Sequence, residues 1–205
     1  MLSGKKFSNI LTAEKWLLEN YFDFLKKIYN EYNVENTLGE ALFYYTGNMS
    51  FTYNFILKLN SGNIDNIEKL LEQYYPDSLF MNEYDINRIK LIYNSFNLKI
   101  PEDIILFHYF SKENYEIDFQ NEKEFVINNF ISTTMLEESP KTANNYNCIL
   151  KIAVKKGVKC IPIGNNPHSC LREFEIILPP KTKFKINKIK KNIFSNVKII
   201  ECEIV

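Results

Sequence analysis

The stretch Glu173-Phe174-Glu175-Ile176-Ile177-Leu178-Pro179 decides how the chain is read. Its apolar run is too short for a helix and is stopped by proline, so it reads as a strand buried on both faces. Residues two apart along a strand project to the same side, which would set Glu173 and Glu175 together and Phe174 and Ile176 opposite. Carboxylates held side by side repel. One of them becomes a better base than a free glutamate, and the pair attracts a cationic group. An E-x-E on an amphipathic strand is commonly no more than a solvated face. Beside a doubly buried run, it belongs instead at the edge of a cleft.

Working outward, the same period governs the C-terminal half. Ile104–Phe107, Phe130–Thr134, Cys148–Val154, Phe184–Ile189 and Val197–Ile204 read as further strands. Lys156-Gly157, Gly164-Asn165-Asn166-Pro167 and Pro179-Pro180 supply turns between them. Up to about residue 98 the spacing is helical. Trp16, Leu17, Tyr21, Phe24, Leu25 and Ile28 form one buried stripe. Thr37-Leu38-Gly39-Glu40 has the capping-box pattern, opening a short helix that Thr46-Gly47 would stop. Ser50 would cap a third helix ended by Ser61-Gly62, and two more follow near 64–75 and 83–96, broken by Pro76-Asp77-Ser78. Helices first and a mostly antiparallel β region after them predict one α+β domain over 1–205, helical over about 9–98 and β-rich over about 101–205.

Composition narrows the function. The chain has 205 residues, and 25 basic against 25 acidic side chains give it no net charge. A nucleic-acid partner, which needs a basic excess, is therefore not expected. With 45% apolar and 15% aromatic residues, a sizeable core is within reach and disorder is not. The apolar runs are too short to span a membrane. Cys148, Cys160, Cys170 and Cys202 have no clip spacing and His108 and His168 cannot complete a zinc set, so no metal is expected. The start, Met1 to Phe7, leads into an amphipathic segment rather than a signal peptide, which predicts a cytoplasmic protein or one delivered to a host cytosol. Lys181, Lys183 and Lys185 share a face opposite Phe184 and Ile186 and read as lysines that protect a sheet edge.

Two more features carry chemistry only in company. Ser132-Thr133-Thr134 is a run of hydroxyls that elsewhere would simply satisfy nearby backbone. His108, closing Ile104–Phe107, would elsewhere be a half-buried structural histidine. Taken in order, Pro101–Phe107, Phe130–Thr134, Ile149–Ile152 with Gly157, and Glu173–Pro179 resemble the ADP-ribosyltransferase exoenzymes, the group of clostridial binary-toxin enzymes and Rho-modifying exoenzymes. Tyr45-Thr46-Gly47, Asn54 and Leu57 resemble the motif at the head of that catalytic domain, so the likeness covers roughly 37 to 190.

The resemblance implies NAD held in a cleft between two sheets and ADP-ribose passed to a side chain of a target protein, with a delivery partner possible. It implies that Glu175 is the catalytic glutamate on the nicotinamide ribose, that Glu173 is the upstream member of the pair and favours arginine acceptors, and that Ser132 orients Glu175. His108, Ser132, Thr133, Thr134 and Glu175 would contact NAD. Residues 164–172, with His168 and Leu171 but no aromatic residue, match the acceptor-recognition loop; residues 136–147, with Asn144, Asn145 and Tyr146, match the region near the phosphates and nicotinamide. His108 stands where the family carries an arginine, as in a second branch resembling diphtheria toxin, which lacks the Ser-Thr-Thr strand and paired glutamates. Arg88 and Arg172 are the arginines that could compensate. A degenerate NAD-fold binding module and an NAD glycohydrolase remain the alternatives to the transferase.

Overall fold

The computed structural model describes residues 2–74, 83–111, 117, 119, 121–137, 146–164, 174–191 and 197–205. Among the described residues five α-helices come first: α1 Ile10–Asn30, α2 Leu38–Tyr44, α3 Ser50–Leu59, α4 Ile67–Tyr74 and α5 Glu83–Asn94. Nine strands follow among the described residues: β1 Leu98–Lys99, β2 Ile104–Phe110, β3 Glu124–Ile127, β4 Ile131–Thr134, β5 Cys148–Val154, β6 Lys159–Gly164, β7 Glu175–Leu178, β8 Thr182–Lys191 and β9 Lys198–Ile204. The architecture is α+β, as the change of period predicts.

Asn9 caps α1, its side chain accepting from the Thr12 amide at 3.0 Å. The predicted stripe is the buried one: Trp16, Leu17, Tyr21, Leu25 and Ile28 all enter the core. Thr37 caps α2 through the Glu40 amide at 3.2 Å, but Glu40 reaches one residue further back than a capping box requires, to the Asn36 amide. Gly39 lets α2 abut the end of α1, because a Cβ there would stand 2.3 Å from the Ile28 carbonyl oxygen. Thr46-Gly47 does not stop the helix. The chain winds through one π-helical turn, Tyr45–Met49, directly into α3. Ser50 accordingly has helical φ and ψ and makes no cap. Ser61-Gly62 does end α3, with Gly62 at φ +74° donating to the Leu57 carbonyl. Pro76-Asp77-Ser78 lies outside the described residues.

The strands form one hydrogen-bonded series, β1-β6-β7-β4-β2-β5-β9-β8-β3, antiparallel except for β5 and β9. The series has a seam. β2 and β4 share a single register pair, Phe107 with Thr134, so β1-β6-β7-β4 and β2-β5-β9-β8-β3 act as two sheets touching at one point. An N-terminal strap crosses that seam: Lys5 bridges to Ile104 on β2 and Phe7 to Leu136 just past β4. Ile104, Leu106 and Phe110 of β2 enter the main core. Ile105 and Phe107, on the other face, form a second cluster with Ala153, against which Leu2 packs.

Three strands lie outside the sequence reading. β1 and β3 are only two and four residues long. β6 contains Pro162, which argues against a strand but is accommodated next to a bulge between Pro162 and Gly164. The edge-lysine reading is corrected. β8 pairs with β9 on one side and with β3 on the other, and Lys183, Lys185 and Lys190 form ion pairs with Glu124, Glu203 and Glu201.

Candidate functional site

The site is built at the seam, where β4 and β7 run antiparallel with Thr134 opposite Glu175 and Ser132 opposite Ile177. Partners in register share a face, so Ser132, Thr134 and Glu175 project together, Ser132 diagonal to the glutamate. The Ser132 hydroxyl donates to Glu175 Oε1. Glu175 is buried, 5% exposed, which removes water from around a carboxylate that a hydroxyl already orients. Thr133 points to the opposite face and donates to the Ile176 carbonyl at 2.6 Å, so its hydroxyl serves the backbone. Thr134 accepts from the Leu136 amide at 3.2 Å and turns the chain out of β4.

His108 lies one residue beyond the seam pair, its Nδ1 2.7 Å from the Ser132 carbonyl oxygen and its ring stacked on Phe110 at 5.5 Å. A carbonyl only accepts, so the proton must be on Nδ1, and Nε2 of the neutral ring is then an acceptor. Burial pushes the imidazole down to about 4, against the opposing effect of the Ser132 hydrogen bond, so the ring is uncharged at neutral pH. The donor that sequence reasoning reserved for a phosphate is spent on the backbone of the serine strand. His108, Ser132 and Glu175 thus form one connected chain across three strands.

Glu173 lies outside the described residues, as do His168, Leu171, Arg172, Asn144 and Asn145. Phe174 is buried at φ +45°, a left-handed conformation rare for an aromatic residue, and β7 begins only at Glu175. Opposite Glu175 in register stands Gly164, at φ +71°. Both neighbours of the stretch 165–173 are therefore left-handed, which ends each strand abruptly beside the carboxylate.

The head motif is placed by packing. Tyr45 is buried, and its ring meets Phe130 edge-on at 5.6 Å, immediately before β4. Asn54 donates to the Tyr45 hydroxyl at 3.3 Å, and its buried Oδ1 has no hydrogen-bond partner among the described residues. Leu57 is core. Arg88 does not compensate at the cleft. It is held between Glu40 at 2.6 Å and Asp85 at 3.0 Å, its guanidinium 3.8 Å from the centre of the Tyr44 ring, and Tyr53 donates to the same Asp85.

Sequence reading missed two tyrosines. Tyr29 on α1 donates to the Ile163 carbonyl at 2.9 Å, and a Cβ on Gly164 would stand 2.5 Å from its hydroxyl. Tyr32, just past α1, packs on Tyr29 and on Phe43 at 5.3 and 5.5 Å. Burial first, then Tyr29 and the Glu175 carboxylate, raise its phenol far above the usual range and keep it protonated. The signal was available: both tyrosines continue the helical stripe of Leu25 and Ile28. Among the described residues no group of three or more metal-ligating side chains occurs, and no helix is long and apolar enough to cross a membrane.

The site is thus a hydroxyl strand orienting a buried glutamate at the junction of two sheets. The family model for the ADP-ribosyltransferase exoenzymes matches residues 13–204, and the chain belongs to that family. Solved structures share the fold. An ADP-ribosyltransferase from Clostridium botulinum is 21% identical over 98% of each chain, with a TM-score of 0.69. The C3 exoenzyme of Clostridium limosum is also 21% identical, over 99% of this chain and 98% of its own, at 0.71. The ADP-ribosylating toxin of a Clostridium perfringens binary enterotoxin, described with NADH, is 19% identical at 0.75; the chain covers half of it, 50%, with 99% of its own residues. No curated protein matches the chain by sequence.

Proposed function

We propose that the chain is a mono-ADP-ribosyltransferase that uses NAD as substrate and modifies a protein side chain, arginine by preference, with release of nicotinamide. The observation that carries this is the buried Glu175 carboxylate oriented by Ser132 at the seam. In the reaction, the bond between the ribose anomeric carbon and the nicotinamide nitrogen lengthens, its electron pair leaves with nicotinamide, and positive charge develops on the ribose. A carboxylate already in place on the ribose hydroxyl favours that charge by several kcal/mol, because nothing has to reorganise as it forms. The acceptor nitrogen then attacks the anomeric carbon. Glu173 holds the guanidinium and takes its proton. His108 meets NAD as an acceptor toward a hydroxyl or amide, in contrast to the phosphate-binding fork of an arginine. Delivery to a host cytosol by a partner protein fits the same reading.

His108 in the arginine's place favours a second reading, an NAD-fold binding module without turnover. Labelled NAD, a cell lysate and an arginine-rich acceptor separate the two. The first reading requires label on protein, sensitive to hydroxylamine and lost in Glu175→Gln by at least about 100-fold, a typical magnitude for an essential transition-state contact. Nicotinamide release without labelled protein would indicate hydrolysis. An inactive wild type revived by His108→Arg would establish the silent module.

A further inference from the structure

β6 and β7 run antiparallel, with Ile161 opposite Ile177 and Pro162 opposite Ile176, and the register then shifts so that Gly164, not Ile163, stands opposite Glu175. Ile163 is the extra residue of that bulge, and a bulged residue is left out of the ladder. It is fully buried, so its carbonyl needs a partner other than bulk water. The partner comes from the helical half: the Tyr29 hydroxyl on α1 donates to it at 2.9 Å. The next residue lies flat against the same helix. A Cβ on Gly164 would stand 2.5 Å from the Tyr29 hydroxyl and 3.3 Å from the Leu25 side chain, and its φ of +71° already favours glycine. About two turns earlier on α1, Tyr21 makes the same kind of bond at 3.0 Å to the Lys99 carbonyl of β1, which pairs with the start of β6. The two tyrosines tie one helix to opposite ends of β6, and Tyr29 holds the end beside the glutamate.

We infer that Tyr29 is a positioning residue for Glu175 and acts through the β6 bulge. Its hydroxyl fixes Ile163 and Gly164, and the register of Gly164 with Glu175 fixes where the first residue of β7 starts. The glutamate is then held from both neighbouring strands: its side chain by Ser132 of β4, its backbone by the β6 end that Tyr29 fastens. A carboxylate that must be in place before charge develops needs a backbone that does not shift, and here the helical half supplies that constraint. A phenylalanine at position 29 would keep the ring contact with Tyr32 and lose only the hydroxyl.

The inference rests on Glu175 being the catalytic glutamate, and the experiment keeps the two apart. NAD turnover and melting temperature are measured for the wild type, Tyr29→Phe, Tyr21→Phe and Glu175→Gln. Tyr21→Phe is the matched control, because it removes a tyrosine-to-carbonyl bond from the same helix at the end of β6 away from the site. Each tyrosine variant should melt about 2–4 °C lower, the shift expected for one hydrogen bond in a chain of this size. Tyr29→Phe alone should also lower kcat about fivefold, with KM for NAD unchanged. Full kcat in Tyr29→Phe, or an equal loss in Tyr21→Phe, would overturn the inference, since the bond would then serve stability only, and would leave the function reading intact. Undiminished activity in Glu175→Gln would remove the function reading itself. Independently of turnover, the Gly164 and Glu175 amide resonances of 15N-labelled protein should move in Tyr29→Phe and stay in place in Tyr21→Phe. Resonances unmoved by Tyr29→Phe overturn the inference even if the wild type is inactive.

Discussion

A histidine that cannot take up a proton leaves a mark on stability. His108 titrates near 6.5 in the unfolded chain and at about 4 when folded, because burial disfavours the imidazolium. Between those values the unfolded chain binds the proton that the folded one refuses. The stabilisation is therefore complete above about pH 6.5 and declines as the pH falls toward 4. The urea midpoint should be lower at pH 5 than at pH 7, and His108→Gln should narrow the gap; an equal gap in both proteins would refute the assignment. The types of these site residues were legible in the sequence. What the histidine bonds was not, since nothing local says that residue 108 will face the carbonyl of residue 132.

At the scale of the element, the helical half is knit by Arg88, which ties α2 through Glu40 to α5 through Asp85, while Tyr53 of α3 shares that aspartate. The cluster is nearly dry, the Arg88 side chain being 12% exposed. Removing the cation strands two buried carboxylates, so Arg88→Met should cost about 3–5 kcal/mol in urea unfolding. Replacing Glu40, Asp85 and Arg88 together by apolar residues should recover much of that loss; no recovery would mean that the cluster itself is net stabilising. The stripe of α1 and the threonine cap of α2 follow from period and side-chain chemistry alone. The π turn after α2 does not. Thr46-Gly47 carries a local stop signal, which is overridden because Tyr45 must reach Phe130 in the core.

At the scale of the molecule, two sheets that share one register pair need something to hold them in line, and the N-terminal strap runs across that seam. Phe7 is buried against Trp16 at 5.4 Å, and the Ile105 amide donates to the Lys5 carbonyl at 3.0 Å. Phe7→Ala should therefore cost about 3 kcal/mol, in the range for a buried phenylalanine, and should speed amide exchange at Ile105 more than at the β8–β9 ladder. Uniform acceleration across all strands would show that the strap stabilises the fold generally without securing the seam.

The sequence by itself determined that helices precede strands, which faces of the main elements are apolar, and the chemical identity of the Ser132, Glu175 and His108 side chains. All of these depend on spacing and side-chain type within a few residues. The tertiary structure alone decided that β2 and β4 meet at one pair, that Phe174 turns left-handed just before β7, and that Arg88 is spent in the helical core. Each of these joins residues far apart in the chain, and such contacts are set by how whole faces pack, which no local pattern encodes.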